Sequence, residues 1–247
     1  MSNISFVFME PKHKKTTGPT LCEEWRTRIA QLLSPEDQPR FAVVQSTLQN
    51  LEPPNSLFDC IVSPANSYGL MDGGVDYYIS EALSPKNDIM VLTRTAQAAI
   101  KKRYYGLAPP GSCTLVPLPP LLRKNPRFPR CRVLAVCPTM RLPAEVDWHR
   151  DLVYNVMWSL LTELERWNER AAPEDRITKV AMTGLATGVG GLPKNVCAWQ
   201  MILAIKHFLD VRSEAGRNRW AQDGYPGWND VLPSATEVEH IPNDDAK

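Results

Sequence analysis

The sequence predicts an α/β fold, a three-layer α/β/α sandwich around a mixed, mostly parallel central sheet. Three observations predict it. Short apolar runs bounded by turn residues alternate with segments of helical period along most of the chain, as buried parallel strands and covering helices do. Two glycine-rich stretches each follow one of those apolar runs and precede a helical pattern. A chain of 247 residues with 43% hydrophobic content has ample material for one large core.

Ile4 to Met9 reads as a strand, and Thr20-Leu21-Cys22-Glu23 has the spacing of a capping box that opens a helix to about Leu33. Phe41 to Val44 and Phe58 to Val62 are strand candidates, and the first glycine loop follows the second of them. Val75 to Leu83 reads as a helix. Ser84-Pro85 is positioned to cap a further helical region running towards Tyr105, with Gly106 closing it. Thr114 to Leu118 and Arg132 to Val136 supply two more strands, separated by a basic, proline-rich excursion. Asp147 is the expected cap of a long helix whose Leu152, Val153, Val156, Met157, Leu160, Leu161, Leu164 and Trp167 recur at the 3.6-residue period, which marks them as core. Lys179 to Met182 is the next strand, the second glycine loop follows, and Pro193 starts a helix ending near Asp210. The domain is expected over residues 1-211. Residues 212-247 read as a polar extension, partly ordered or docked, with Trp220, Tyr225 and Trp228 as candidate anchors.

Composition narrows the function. Lys and Arg total 28 against 27 Asp and Glu, so no broad field points to duplex nucleic acid, and any anion recognition must be local. The N-terminal residues lack the pattern of an export signal, and no apolar run is long enough to span a bilayer. Cys22, Cys60, Cys113, Cys131, Cys137 and Cys197 show no C-x-x-C spacing and read as buried reduced thiols, which fits a cytoplasmic protein, with the nucleus also open. No metal and no cofactor is expected.

The loops Ser63-Pro64-Ala65-Asn66-Ser67-Tyr68-Gly69-Leu70-Met71-Asp72-Gly73-Gly74-Val75-Asp76 and Thr183-Gly184-Leu185-Ala186-Thr187-Gly188-Val189-Gly190-Gly191 predict an anion site on physical grounds. Glycine lets backbone N–H groups face a ligand closely, and a following helix N-terminus adds partial positive charge. A nucleotide P-loop is excluded because Gly191 is followed by Leu192-Pro193 rather than lysine and a hydroxyl. The dinucleotide fingerprint G-x-G-x-x-G is excluded by the spacing of Gly188, Gly190 and Gly191.

The run Asp59-Cys60-Ile61-Val62-Ser63-Pro64-Ala65-Asn66, followed by Gly73-Gly74-Val75-Asp76, resembles the signature of macrodomains, the ADP-ribose-binding modules. Thr183 to Pro193 resembles the family's diphosphate loop, and the likeness spans roughly Phe41 to Asp210. It implies an ADP-ribose site built from Ser46, Thr47, Ala65, Tyr68, Gly73, Gly74, Val75, Thr187, Gly188, Val189, Gly190 and Gly191. In hydrolytic members the asparagine matching Asn66 orients the distal ribose and the aspartate matching Asp76 positions or activates a water, so these two are the implied catalytic residues. The implied ligand is ADP-ribose or a conjugate, including ADP-ribosylated protein. Two departures stand out. The Gly-Asp pair whose aspartate binds the adenine amino group is replaced by Ser46 and Thr47, and the strand at Ile4 precedes the usual family start while none follows the last helix. The sheet edge is therefore expected to differ.

Plainer roles stand beside each of these. Asn66 closes turns as readily as it binds sugars, Asp76 suits a helix N-terminus, and His149 suits a surface or capping position. Three functions follow: a hydrolase of mono-ADP-ribosyl protein, O-acetyl-ADP-ribose or ADP-ribose 1″-phosphate; a non-catalytic ADP-ribose reader; and an RNA-related module using Arg123, Lys124, Arg127, Arg130 and Arg132, which otherwise read as a solvated loop.

Overall fold

A computed structural model describes residues 4–12, 18–146, 148–221 and 227–241. In chain order the elements are β1 (Ser5–Met9), α1 (Leu21–Leu32), β2 (Phe41–Val44), β3 (Cys60–Ser63), α2 (Gly74–Leu83), α3 (Val91–Tyr104), β4 (Thr114–Pro117), α4 (Pro120–Arg123), β5 (Val133–Val136), α5 (Leu152–Arg170), β6 (Lys179–Met182), α6 (Lys194–Arg212), α7 (Glu214–Ala221) and α8 (Trp228–Glu239). The strands form one sheet in the order β2-β1-β6-β3-β5-β4, parallel throughout except for the antiparallel edge pair β4 and β5.

Strand alternation builds the layers. Phe6, Phe8, Cys60, Val62, Val133, Ala135, Val180 and Met182 point to one face and pack with α1, α5 and α6, while Val7, Met9, Ile61, Leu134, Val136 and Ala181 point to the other and pack with α2 and α3. Side chains two residues apart share a face and neighbours face opposite ways, so both faces of every central strand are apolar and covered. The expected mixed, mostly parallel sandwich is what the chain adopts. The strand predicted at Ile4 to Met9 is an internal strand of the sheet. β1 lies between β2 and β6, with Phe6 opposite both Phe41 and Val180, and its first residue, Ser5, opposite Lys179.

Local signals held in part. The Thr20–Glu23 capping box forms in both directions at the start of α1. Ser84 proves to be the C-cap of α2 rather than the start of a helix, because its N–H bonds back to the Ser80 carbonyl and a turn through Asp88 follows. α3 then begins at Val91, and Tyr105, at φ 57°, takes the left-handed cap expected of Gly106. Asp147 lies outside the described residues, and α5 opens after Asp151 without a side-chain cap. Beyond Arg212 the chain is helical in α7 and α8. Trp228 is 81% exposed and anchors nothing; Val238 and Ile241 pack on Val196 and Leu203 of α6 instead. Tyr225 and the side chain of Trp220 lie outside the described residues.

One buried carboxylate organises the sheet. Asp59, 1% exposed, accepts hydrogen bonds from Arg130 Nε and Nη2 (3.1 and 2.9 Å), from the Thr178 N–H and hydroxyl (both 2.8 Å) and from the Lys179 N–H (3.0 Å). Arg132 Nη2 lies 3.8 Å away. Its own N–H donates to the Lys179 carbonyl, and its carbonyl accepts from the N–H groups of Arg132 and Val133. The starts of β3, β5 and β6 are therefore locked in register from one residue. Asp59→Ala should lower the free energy of unfolding by about 3–5 kcal/mol, as expected when one member of a buried charged network is removed. Arg130→Met removes two of the donors to this buried carboxylate but leaves those of Thr178 and Lys179, and should cost less, about 1–3 kcal/mol. Urea unfolding measures both, and an Asp59→Ala loss no larger than that of Arg130→Met would contradict this assignment.

Candidate functional site

The parallel strands β1, β6, β3 and β5 all end on the same side of the sheet, and a cleft of about 740 Å³ opens over those ends. This is where ligands bind in open parallel sheets, since the loops that leave the strands diverge there. At a strand spacing of about 4.8 Å, the floor from β1 to β5 measures about 14 Å across. Met9, Glu10 and Pro11 line the β1 end. Residues of Thr183 to Gly190 come from the loop after β6, residues of Pro64 to Asp76 from the loop after β3, and Thr139, Met140 and Pro143 from the segment after β5.

Two helix N-termini meet this cleft without side-chain caps. α2 begins after Gly73 and α6 after Pro193, and neither cap residue contributes a side-chain hydrogen bond. Among the described residues, the N–H groups of Gly74, Val75 and Asp76 have no hydrogen-bond partner, and neither do those of Gly188, Val189 and Gly190. Unsatisfied donors at a helix start and partial positive charge from the helix dipole together favour an anion. The backbone needs glycine at two points. Gly74 stands at φ 55°, in the left-handed region, at the very start of α2, and a Cβ on Gly190 would come within 2.6 Å of the Ala186 carbonyl oxygen. Ala186 itself is left-handed at φ 59°, a conformation that costs an alanine on the order of 1 kcal/mol or more and is held by the loop around it.

Asp76 sits in the first turn of α2 and is 7% exposed. The Ser63 hydroxyl donates to its Oδ1 at 2.6 Å. Burial pushes its carboxyl from an ordinary 3.8 up to about 6; the Ser63 hydrogen bond works against that rise, and the nearby Asp72 charge adds to it. Holding it ionised at neutral pH costs on the order of 3 kcal/mol. Two threonine hydroxyls in the cleft wall, Thr139 and Thr183, are buried and without a hydrogen-bond partner; the whole of Thr139 is inaccessible. A buried unpartnered hydroxyl costs about 1–3 kcal/mol, a cost that the fold bears in the cleft wall.

Of the residues implied as site residues, Asn66, Gly73, Gly74, Val75, Asp76, Thr187, Gly188, Val189 and Gly190 line the cleft together. Five stand apart. Ser46 donates its hydroxyl to the Thr47 carbonyl at 3.0 Å, and Thr47 precedes a 3-10 turn at the end of the edge strand β2. Ala65 is fully buried, with its N–H spent on the Cys137 carbonyl. Tyr68 is 39% exposed and contributes nothing to the cleft lining, and Gly191 closes the second loop by bonding to the Gly188 carbonyl. Asn66 is turned inward: its Oδ1 accepts from the N–H groups of Tyr68 (3.0 Å) and Leu70 (3.2 Å), and its Nδ2 donates to the Leu70 carbonyl at 2.7 Å. One amide hydrogen is left for a ligand. His149 lies outside the lining, its ring against Trp148.

Sequence reasoning missed Glu10 and Lys194. Glu10, 4% exposed, follows β1; its Oε2 accepts from the Cys22 N–H at 3.0 Å, and its Oε1 accepts from Lys194 Nζ at 2.9 Å. Burial alone would raise the Glu10 carboxyl, but Lys194 and the N–H groups of Cys22 and Leu21 outweigh it and hold the group below its ordinary value. The position of Glu10 just past a parallel strand was the available signal.

No family model matches the chain, and no curated protein matches it. Among solved structures it is similar to the macrodomain of Oceanobacillus iheyensis with MES bound, at 16% identity and a TM-score of 0.47 over 76% of this chain and 87% of that one. The same macrodomain with ADP gives 17% identity and a TM-score of 0.46 over the same shares. A Trypanosoma brucei macrodomain in complex with ADP gives 20% identity and a TM-score of 0.47 over 70% of this chain and 59% of that one.

The raised Asp76 carboxyl has a stability signature. Between 3.8 and about 6 the folded chain holds a proton that the unfolded chain has released, so the Asp76 contribution is fully present below 3.8 and is lost as pH rises through about 6. Asp76→Asn removes this dependence. Relative to wild type, the variant should gain on the order of 3 kcal/mol between pH 4 and pH 7, read from urea unfolding at each pH. Parallel pH profiles for the two proteins would mean that Asp76 titrates normally.

Proposed function

We propose that this chain is a macrodomain that binds ADP-ribose across the two glycine loops and hydrolyses ADP-ribose conjugates at the distal ribose end. The observation that carries the reading is Asp76: a buried carboxyl raised to about 6, in the wall of a cleft whose loops present two uncapped helix N-termini. A general base works best when its pKa lies near the operating pH, because it is then both ionised and willing to take a proton. In the proposed step Asp76 accepts a proton from water, the water oxygen bonds to the anomeric carbon, and the bond from that carbon to the leaving group breaks. The leaving group departs with its electron pair and is protonated from solvent. The diphosphate, held by backbone donors, keeps the ribose in register. The substrates that fit are mono-ADP-ribosyl protein, O-acetyl-ADP-ribose and ADP-ribose 1″-phosphate. Six free, buried cysteines suit a reducing compartment, the cytoplasm or the nucleus.

A second reading is a non-catalytic reader, and one observation favours it. Asn66 spends most of its amide on the loop backbone, which leaves little with which to orient a ribose. The RNA reading loses support, because Arg130 and Arg132 of the basic excursion neutralise Asp59, and Arg123 Nε donates to the Leu118 carbonyl.

Wild type should release ADP-ribose from modified protein or phosphate from ADP-ribose 1″-phosphate, and Asp76→Asn should lower kcat/KM by about 10²–10⁴-fold, the range for loss of a general base. For wild type, kcat/KM should rise with pH through about 6 as Asp76 ionises, and the same limb in kcat should lie at higher pH, since a bound diphosphate raises the carboxyl further. Calorimetry distinguishes the alternatives: heat with ADP-ribose but no turnover of either substrate selects the reader, and no heat at all removes both.

A further inference from the structure

Among the described residues, the charged side chains that line the cleft are Glu10, Asp72, Asp76 and Lys194, so three carboxylates there accompany one ammonium. A diphosphate entering this cleft brings about two further negative charges, and a burden of that kind is carried by side-chain cations as well as backbone donors. Lys194 occupies an unusual place for a cation. It is the first residue of α6, where the helix dipole disfavours positive charge, and it directly follows the second glycine loop and Pro193.

Glu10 explains how it is kept there. The carboxylate side chain is 5% exposed and is fixed from behind by the Cys22 N–H at the start of α1, itself a favoured place for an anion. Its other oxygen holds Lys194 Nζ at 2.9 Å, while the lysine side chain remains 34% exposed. An ammonium has three donors and cannot spend all of them on one carboxylate oxygen. It can keep the Glu10 bond and donate to a phosphate oxygen in the same geometry.

We infer that Lys194 is a diphosphate-binding residue and that Glu10 is its positioning residue, together making this cleft selective for a doubly charged diphosphate ligand over an uncharged nucleoside. The inference rests on the reading of the cleft as an ADP-ribose site. A hydrogen bond from a charged donor implies that Lys194→Gln weakens ADP-ribose binding by about ten- to hundredfold. Adenosine, which has no phosphate, should bind both proteins alike. The slope of log Kd against log salt concentration should flatten in the variant, and Lys194→Arg should restore most of the affinity and the slope. Glu10→Gln should weaken ADP-ribose less than Lys194→Gln does, while flattening the salt dependence in the same direction. Thermal melts confirm that each variant is folded, and Lys194→Gln and Lys194→Arg decide the matter alone if Glu10→Gln is not. The experiment is isothermal calorimetry with ADP-ribose, adenosine and inorganic pyrophosphate at several salt concentrations.

Lys194→Gln binding ADP-ribose within twofold of wild type, with an unchanged salt slope, overturns the inference and leaves the ADP-ribose reading intact. Wild type binding pyrophosphate but not ADP-ribose overturns the ADP-ribose reading, and the loss or retention of pyrophosphate binding in Lys194→Gln then decides the role of Lys194. Binding of none of the three ligands overturns both.

Discussion

Asp59 sets the position of everything that the cleft depends on. Its carboxylate gathers donors from Arg130, Thr178 and Lys179, and its backbone pairs with Lys179, Arg132 and Val133, so one buried residue aligns the first residues of β3, β5 and β6. Each of those strands is four residues long. A strand that short runs about 13 Å, so its far end is fixed almost rigidly by its near end. The loops carrying Asp76, Thr139 and Gly188 therefore inherit their relative placement from an ion pair at the opposite pole of the sheet. The same network makes demands on composition. A buried carboxylate is tolerated only with its lone pairs satisfied, which accounts for Arg130 and Arg132 in a segment otherwise rich in proline.

The cleft holds two electrostatic tendencies side by side. Backbone donors of the two loops and the N-termini of α2 and α6 invite negative charge, while Asp76 and Asp72 raise its cost. Asp76 relieves part of this by having its proton affinity raised, and the Ser63 hydroxyl tempers the rise from the last position of β3. Neighbouring elements thus supply both the acid and the group that tunes it. The free N–H groups of the two loops leave hydrogen-bond donors at the cleft without a partner among the described residues.

The layered architecture and the two glycine loops were legible because both rest on short-range patterns: alternation in the strands, the 3.6-residue stripe of α5, and glycine clusters at strand-to-helix turns. The capping box at Thr20 and Glu23 was legible for the same reason. What escaped depended on partners far away in sequence. Glu10 and Lys194 are 184 residues apart and meet only because β1 lies beside β6, a pairing no local window reports. Asn66 shows the limit at a single residue: its type and context suggest a ligand contact, yet three bonds to its own loop take most of its capacity. α7 and α8 escaped because their side chains are mostly exposed, leaving no apolar stripe to read, and α8 even carries Pro233 within it. Ser84 misled because serine before proline opens helices as readily as a C-cap ends them.

The insertion of β1 between β2 and β6 bears on how the molecule comes together in time. Ser5 faces Lys179, so the sheet closes around its first strand only after its last strand exists, and the intervening chain must pay a long loop-closure entropy first. Contacts of such separation are made late. Until then the β1–β2 pair has no neighbour on the β6 side of β1, and Phe6 and Phe8, with their aromatic partners Phe41 and Trp25, lack the cover that α5 and α6 later give that face. The Glu10 end of the cleft is consequently the last part to be assembled, and a chain still emerging from synthesis exposes a sticky, half-built sheet while its cleft is incomplete.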